Sequence, residues 1–228
     1  MTQHPCFNAA AARPIPAAGR AKWLGLLAAL VLGTASAAPV LITSAASAAL
    51  AGASTVDFNA EAQGSFSTRS FGSQVTIGAA AGDLYIENSY SGWYAATGSY
   101  LATQANPAPI TITFNSAVSA FGMTWGAADQ GWTLDVFNTL NALIGTFNIA
   151  AQDGSEGYAG FIGADGGGAA IGAARLTSHS NYGYDYVLID DLRFVAADAS
   201  AVPEPQSLLL VALALIGVGA ARRRHPAA

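Results

Sequence analysis

The sequence predicts an all-β domain, an antiparallel β-sandwich, set between an N-terminal signal helix and a C-terminal transmembrane helix. Three observations carry this reading. The middle of the chain is a series of short apolar runs bounded by Gly, Asn, Asp and Ser, the pattern of many short strands joined by tight turns. Within it Trp132, Leu134 and Val136 alternate with Thr133 and Asp135, the period of two that marks a half-buried strand. At each end an apolar run lies beside basic residues instead.

The N-terminal run opens with Arg13, Arg20 and Lys22 as a basic region, followed by apolar Trp23 to Leu32. Ala35-Ser36-Ala37 then supplies small residues at the two positions a signal peptidase reads, so cleavage is expected before Ala38 and residues 1–37 form a secretory signal peptide. Residues 38–53 are rich in Ala and Ser and read as a loose lead-in. The β-sandwich is expected over 54–195, with strands at 55–58, 74–78, 84–88, 110–114, 118–125, 132–138, 143–150, 170–178 and 185–195. Thr139 to Ala142 would turn one of these into the next as a hairpin, and Asp165-Gly166-Gly167-Gly168 reads as a loop. Residues 196–202 are a short linker.

The tail, 203–226, has three parts in order: Pro203-Glu204-Pro205, an uncharged run from Leu208 to Ala221, and Arg222-Arg223-Arg224. The two prolines hold the first part extended, a shape that a processing enzyme binds at low ordering cost. A helix of the 14 residues from Leu208 to Ala221 is about 21 Å long, short of a hydrocarbon core of roughly 30 Å. Such a segment suits a transient anchor in the inner membrane. The arginines keep their end cytoplasmic, leaving the rest of the chain outside. An ordinary tail anchor is the alternative. The tail is similar to the PEP-CTERM sorting signal of Gram-negative bacteria, also called the ice-binding-protein C-terminal domain. That resemblance implies an exosortase-type enzyme as partner, recognition through Pro203, Glu204 and Pro205, topology set by Arg222, Arg223 and Arg224, and delivery to the cell surface or extracellular matrix.

Charge and composition narrow the function of the mature region. Residues 38–202 keep three arginines, no lysine and thirteen acidic residues, a net charge of about −10. That balance excludes nucleic acid as a partner, which needs clustered Lys and Arg. The single cysteine, Cys6, lies in the signal peptide, and His179 is the only histidine of the mature region. Thiol catalysis, disulfides, and zinc sites built on Cys or His clusters are therefore excluded there. There is no Gly-x-Ser-x-Gly elbow and no distinctive carboxylate pair, so no catalytic residue is assigned and a non-enzymatic domain is expected, with a hydrolase the least favoured reading.

Two constellations remain. Asp190 and Asp191 interrupt an apolar strand, and consecutive strand residues face opposite sides unless a bulge intervenes. A carboxylate on the apolar face must be paired, protonated or metal-bound. One reading is a structural calcium held by Asp190, Asp191 and Asp57. The other is a carboxylate that accepts backbone N–H bonds or pairs with Arg193. The second constellation is aromatic: Tyr90, Trp93, Tyr94 and Tyr100, then Tyr182, Tyr184 and Tyr186. Trp93, Tyr94 and Tyr184 are the candidates for stacking on sugar rings of an exopolysaccharide; packing of the sandwich is the alternative.

Residues 110–195 also resemble the jelly-roll module common in PEP-CTERM proteins. The resemblance rests on Phe121-Gly122, on Trp132 to Asn138, on a Gly160-Phe161-Ile162-Gly163 corner, and on a last strand reading Ile189-Asp190-Asp191-Leu192-Arg193-Phe194. It implies a jelly-roll-like sandwich, a structural calcium near the last strand and a carbohydrate ligand. The expected function is that of an exported surface or matrix protein with a structural or binding domain, the alternative being a dedicated carbohydrate-binding module.

Overall fold

A computed structural model describes residues 37–79, 84–103, 109–151, 159–180 and 185–198. The signal peptide up to Ser36, the cleavage residue Ala35, Tyr184 and the whole sorting tail lie outside the described residues. Among the described residues no helix is long and apolar enough to cross a membrane.

The described chain is all β apart from one 3-10 turn at Ala48–Leu50. The strands are β1 (Val40–Ile42), β2 (Ser54–Val56), β3 (Gly64–Phe66), β4 (Thr68–Phe71), β5 (Val75–Ala79), β6 (Leu84–Glu87) and β7 (Tyr100–Thr103). They continue with β8 (Ile110–Gly126), β9 (Trp132–Asn138), β10 (Leu143–Ile149), β11 (Ala159–Asp165), β12 (Ile171–Ser178) and β13 (Val187–Ala196). Every pairing is antiparallel, as expected.

All thirteen strands belong to one hydrogen-bonded sheet. The sequence suggested two strands at 110–114 and 118–125; the structure makes them the single 17-residue β8. Its first half pairs with β5 and β12, its second half with β11 and β13. One strand therefore feeds both layers of a sandwich-like fold. Ile110, Ile112 and Phe114 face the core from the first half, Phe121, Met123 and Trp125 from the second. The parity changes because the pairing with β13 slips between Val118 and Ala120, where β8 carries an extra residue. A one-residue slip turns every later side chain to the other face.

The two halves share one core. Phe114 stands 5.3 Å from Phe121 and 5.9 Å from Phe194, and Trp125 meets Trp132 edge to face at 5.3 Å. Burial of these large side chains is the main favourable term of the fold. The predicted alternation in β9 holds, with Trp132, Leu134 and Val136 buried and Thr133 and Asp135 outside. The expected hairpin follows it: Asn138 Oδ1 accepts the N–H groups of Leu140 and Ala142, and Asn141 takes the left-handed turn conformation.

Two expectations are corrected. The lead-in 38–53 is part of the fold: β1 pairs with β11, and Leu50 packs with Ile42 and Ala120 over the second half of β8. Its Ala and Ser content hid these few apolar anchors. The Phe161-Ile162-Gly163 corner is the interior of β11. Gly163 lies opposite Gly122, and a Cβ there would come within 2.1 Å of the Phe121 carbonyl oxygen, so close backbone approach, not a turn, requires glycine. The sheet also runs one residue into the expected linker, to Ala196.

Candidate functional site

The segment 88–99 connects β6 to β7, whose facing ends are Glu87 and Tyr100. It carries the exposed aromatics Tyr90 (45% exposed) and Trp93 (48% exposed). Hydrogen bonds fix it from several directions. Tyr90 N–H donates to the Tyr100 hydroxyl at 2.8 Å, Thr97 N–H to Asp190 Oδ2 at 2.9 Å, and Ser99 N–H to Asn59 Oδ1 at 2.9 Å. Within the loop Gly98 N–H donates to Ser91 Oγ and Gly92 N–H to the Ala96 carbonyl, both at 2.8 Å. Tyr94 and Ala95 both sit at positive φ, 53° and 57°. Two such non-glycine residues in sequence cost about 1 kcal/mol or more each and persist only where the surroundings impose them.

Behind the loop the two aromatic groups of the sequence meet. Tyr186 lies 5.6 Å from Tyr90, and Tyr94 lies 6.3 Å from Tyr90, both edge to face. The Tyr186 hydroxyl donates to Glu87 Oε1 at 2.5 Å. Burial, then the bond to Glu87, pushes the Tyr186 phenol well above its ordinary range, so it stays a neutral donor. Burial also raises Tyr100. Glu87, Tyr90 and Tyr186 thus complete a site for which the sequence singled out Trp93, Tyr94 and Tyr184. Tyr184 lies outside the described residues. Glu87 gave no signal of its own, being one acid at the end of an apolar strand.

The aspartates stand under the same loop. A bulge does intervene at the adjacent pair: the β8–β13 register shifts between Asp190 and Arg193, and Asp191 adopts φ 47°. Asp190 is only 1% exposed and its two oxygens accept Thr97 N–H and Asp191 N–H, at 2.9 and 2.8 Å. Burial pushes its carboxyl up to about 6, with the charges of Asp191 and Asp57 adding to the rise and the two N–H bonds opposing it. Asp191 lies 3.4 Å from the Arg193 guanidinium, and Asp57 accepts Asn59 N–H at 3.2 Å. Among the described residues no three His, Cys, Asp or Glu side chains converge to hold a metal ion. Asp190 thus meets the hydrogen-bonded alternative, accepting two backbone N–H groups. Asp190 then acts as a clamp on the aromatic loop.

A second buried acid, Asp185, was not singled out by the sequence. It accepts Asp129 N–H at 3.0 Å and Trp132 Nε1–H at 2.6 Å, tying the 127–131 loop to the start of β13. Burial raises its carboxyl too. Two shallow concavities share Thr111 and Thr113 of β8: one of about 270 Å³ is lined also by β4 and β5, and one of about 420 Å³ by β12 and the 138–141 turn. Neither is lined by the aromatic or acidic residues above.

Residues 201–224 match the PEP-CTERM protein-sorting motif, two residues ahead of the tail boundaries read from the sequence. The chain therefore carries a PEP-CTERM sorting motif on a β-rich domain, which implies export and processing by an exosortase-type enzyme. No curated protein sequence matches the chain.

Proposed function

We propose that this is an exported surface or matrix protein whose sandwich domain, non-catalytic and without a required cofactor, binds surface polysaccharide through the aromatic loop 88–99. The 208–221 run would hold it in the inner membrane until an exosortase-type enzyme acts near Pro203-Glu204-Pro205. Rigid display of aromatic rings supports the binding role most directly. Trp93 and Tyr90 are half exposed on a loop that Asp190, Tyr100 and Asn59 clamp. A ring offered on a fixed backbone stacks on a sugar with little ordering cost. A neutral glycan suits an acidic domain better than an anionic one.

The test is affinity electrophoresis through gels carrying the host's exopolysaccharide, on protein collected from producing cells. Trp93→Ala should weaken retardation about tenfold, or about 1.4 kcal/mol, without lowering the unfolding temperature. Equal mobility of wild type and variant would leave a purely structural domain. In the same cells, replacing Pro203-Glu204-Pro205 with alanines should leave an uncleaved, membrane-held chain.

A further inference from the structure

We propose that the end of the domain carrying the 139–142 turn rests on the lipid surface of the inner membrane while the tail holds the chain there. The aromatic loop 88–99 is then directed away from the membrane. This inference rests on the anchored-tail reading of residues 203–226.

The bend of β8 defines that end. Phe114 and Phe121 would stand about 23 Å apart in a straight strand, yet their rings are 5.3 Å apart. The strand therefore bends sharply between them. Ala197 N–H donates to the Ala117 carbonyl at 2.9 Å, so the chain leaves β13 beside the bend. One concavity joins Ala117 to Asn138, Thr139 and Asn141, so the β9–β10 turn stands there too. Val40, Asp165, Ala120 and Val195 are in register across four adjacent strands. The chain thus enters β1 and leaves β13 about 14 Å apart at this same end. At the opposite end Tyr94 packs on Gly126, and Tyr90 on Tyr186.

The exposed large apolar side chains of the described residues divide between these two ends. Tyr90 and Trp93 belong to the aromatic loop, whereas Val40 (59% exposed), Leu140 (86%) and Leu143 (57%) lie at the bend end. Leu140 projects from a turn, Thr139 to Ala142, that carries no charge and is held by Asn138 Oδ1. A fixed apolar tip on a neutral turn suits the headgroup–acyl boundary. Glu87, Asp129 and Asp185 stand toward the aromatic end, bonded to Tyr186 and around Trp132. At the bend end are Asp165, whose Oδ1 accepts Gly167 N–H, and Asp198 on the way to the tail. An acidic domain is repelled by anionic lipid, so its less acidic end approaches a membrane most readily.

The tether favours the same end. Residues 199–207 separate Asp198 from the apolar run at Leu208, a span of at most about 35 Å. β13, ten residues long, is itself about 33 Å. The aromatic end could touch the membrane only with the tether stretched along the whole domain.

Depth-dependent quenching tests this. Leu140→Cys, Asp129→Cys and Leu213→Cys are each made in a Cys6→Ala full chain and labelled with an environment-sensitive fluorophore. The chains are placed in vesicles of phosphatidylethanolamine with a minor share of phosphatidylglycerol. Lipids spin-labelled near the headgroup should quench the label at 140 about threefold or more above that at 129, since only the first enters the interface. Both side chains are exposed, so folding should be retained. Quenching at 213 but equal quenching at 140 and 129 would overturn the proposal and leave the anchor standing. No quenching at 213 would overturn both. A label at 140 shielded from water but not reached by the spin-labelled lipids would mean that protein covers the tip, and would also overturn the proposal.

Discussion

Replacing Asp190 with asparagine separates the cost of a buried charge from the value of the clamp it forms. Wild-type Asp190 titrates near 6 rather than 3.8, so the folded state holds a proton that the unfolded state has already lost. A carboxyl raised in this way contributes stability that is fully present below about 3.8 and lost as pH rises through about 6. The full swing is about 3 kcal/mol, of which about 2 kcal/mol falls between pH 4.5 and 7.5. Asparagine carries no charge and removes that swing. It also turns one of the two acceptor oxygens into an NH₂ group, leaving the N–H of Thr97 or Asp191 without its partner. That second effect costs about 1–3 kcal/mol and does not depend on pH. The variant should thus be the weaker protein at pH 4.5 and gain about 2 kcal/mol on wild type by pH 7.5. Denaturant unfolding followed by the fluorescence of buried Trp125 and Trp132 measures both proteins across this window. A pH-independent difference, or a variant that loses ground as pH rises, would refute the argument.

Two further outcomes follow from the same geometry. Asp185→Ala strands the N–H groups of Asp129 and Gln130 and the indole N–H of Trp132, and should cost about 3 kcal/mol or more in unfolding free energy. Millimolar calcium should leave the unfolding temperature unchanged, because Asp57, Asp190 and Asp191 each bond to protein groups and form no ligand set. A calcium-dependent rise abolished in Asp190→Asn would establish the calcium reading instead.

Strands were legible where sequence pattern and environment coincide. Trp132 to Asn138 alternates cleanly because one side meets the core and the other solvent. The turn at Thr139 to Ala142 and the loop at Asp165 to Gly168, save Asp165 itself, which ends β11, were legible because their residues tolerate turn conformations. β1, β3, β4, β7 and β11 were not. They are short, like β1 with three residues, or carry Gly and Ala in place of large side chains, as β11 does. What makes them strands is a partner elsewhere in the chain, such as β8 for β11.

The aspartate pair shows the same division. Its place in an apolar strand declared that something must relieve a buried charge. Only the fold shows that a bulge turns the backbone at Asp191 and that Thr97, 93 residues earlier, is a donor to Asp190. By itself the sequence determined the all-β class, the acidic character of residues 38–202 and the sorting tail, because composition, period and a contiguous motif are local properties. Tertiary structure alone decided that β8 serves both layers, that the aspartate clamps the aromatic loop and that Tyr90 meets Tyr186. Those depend on register between distant strands, which no local pattern encodes.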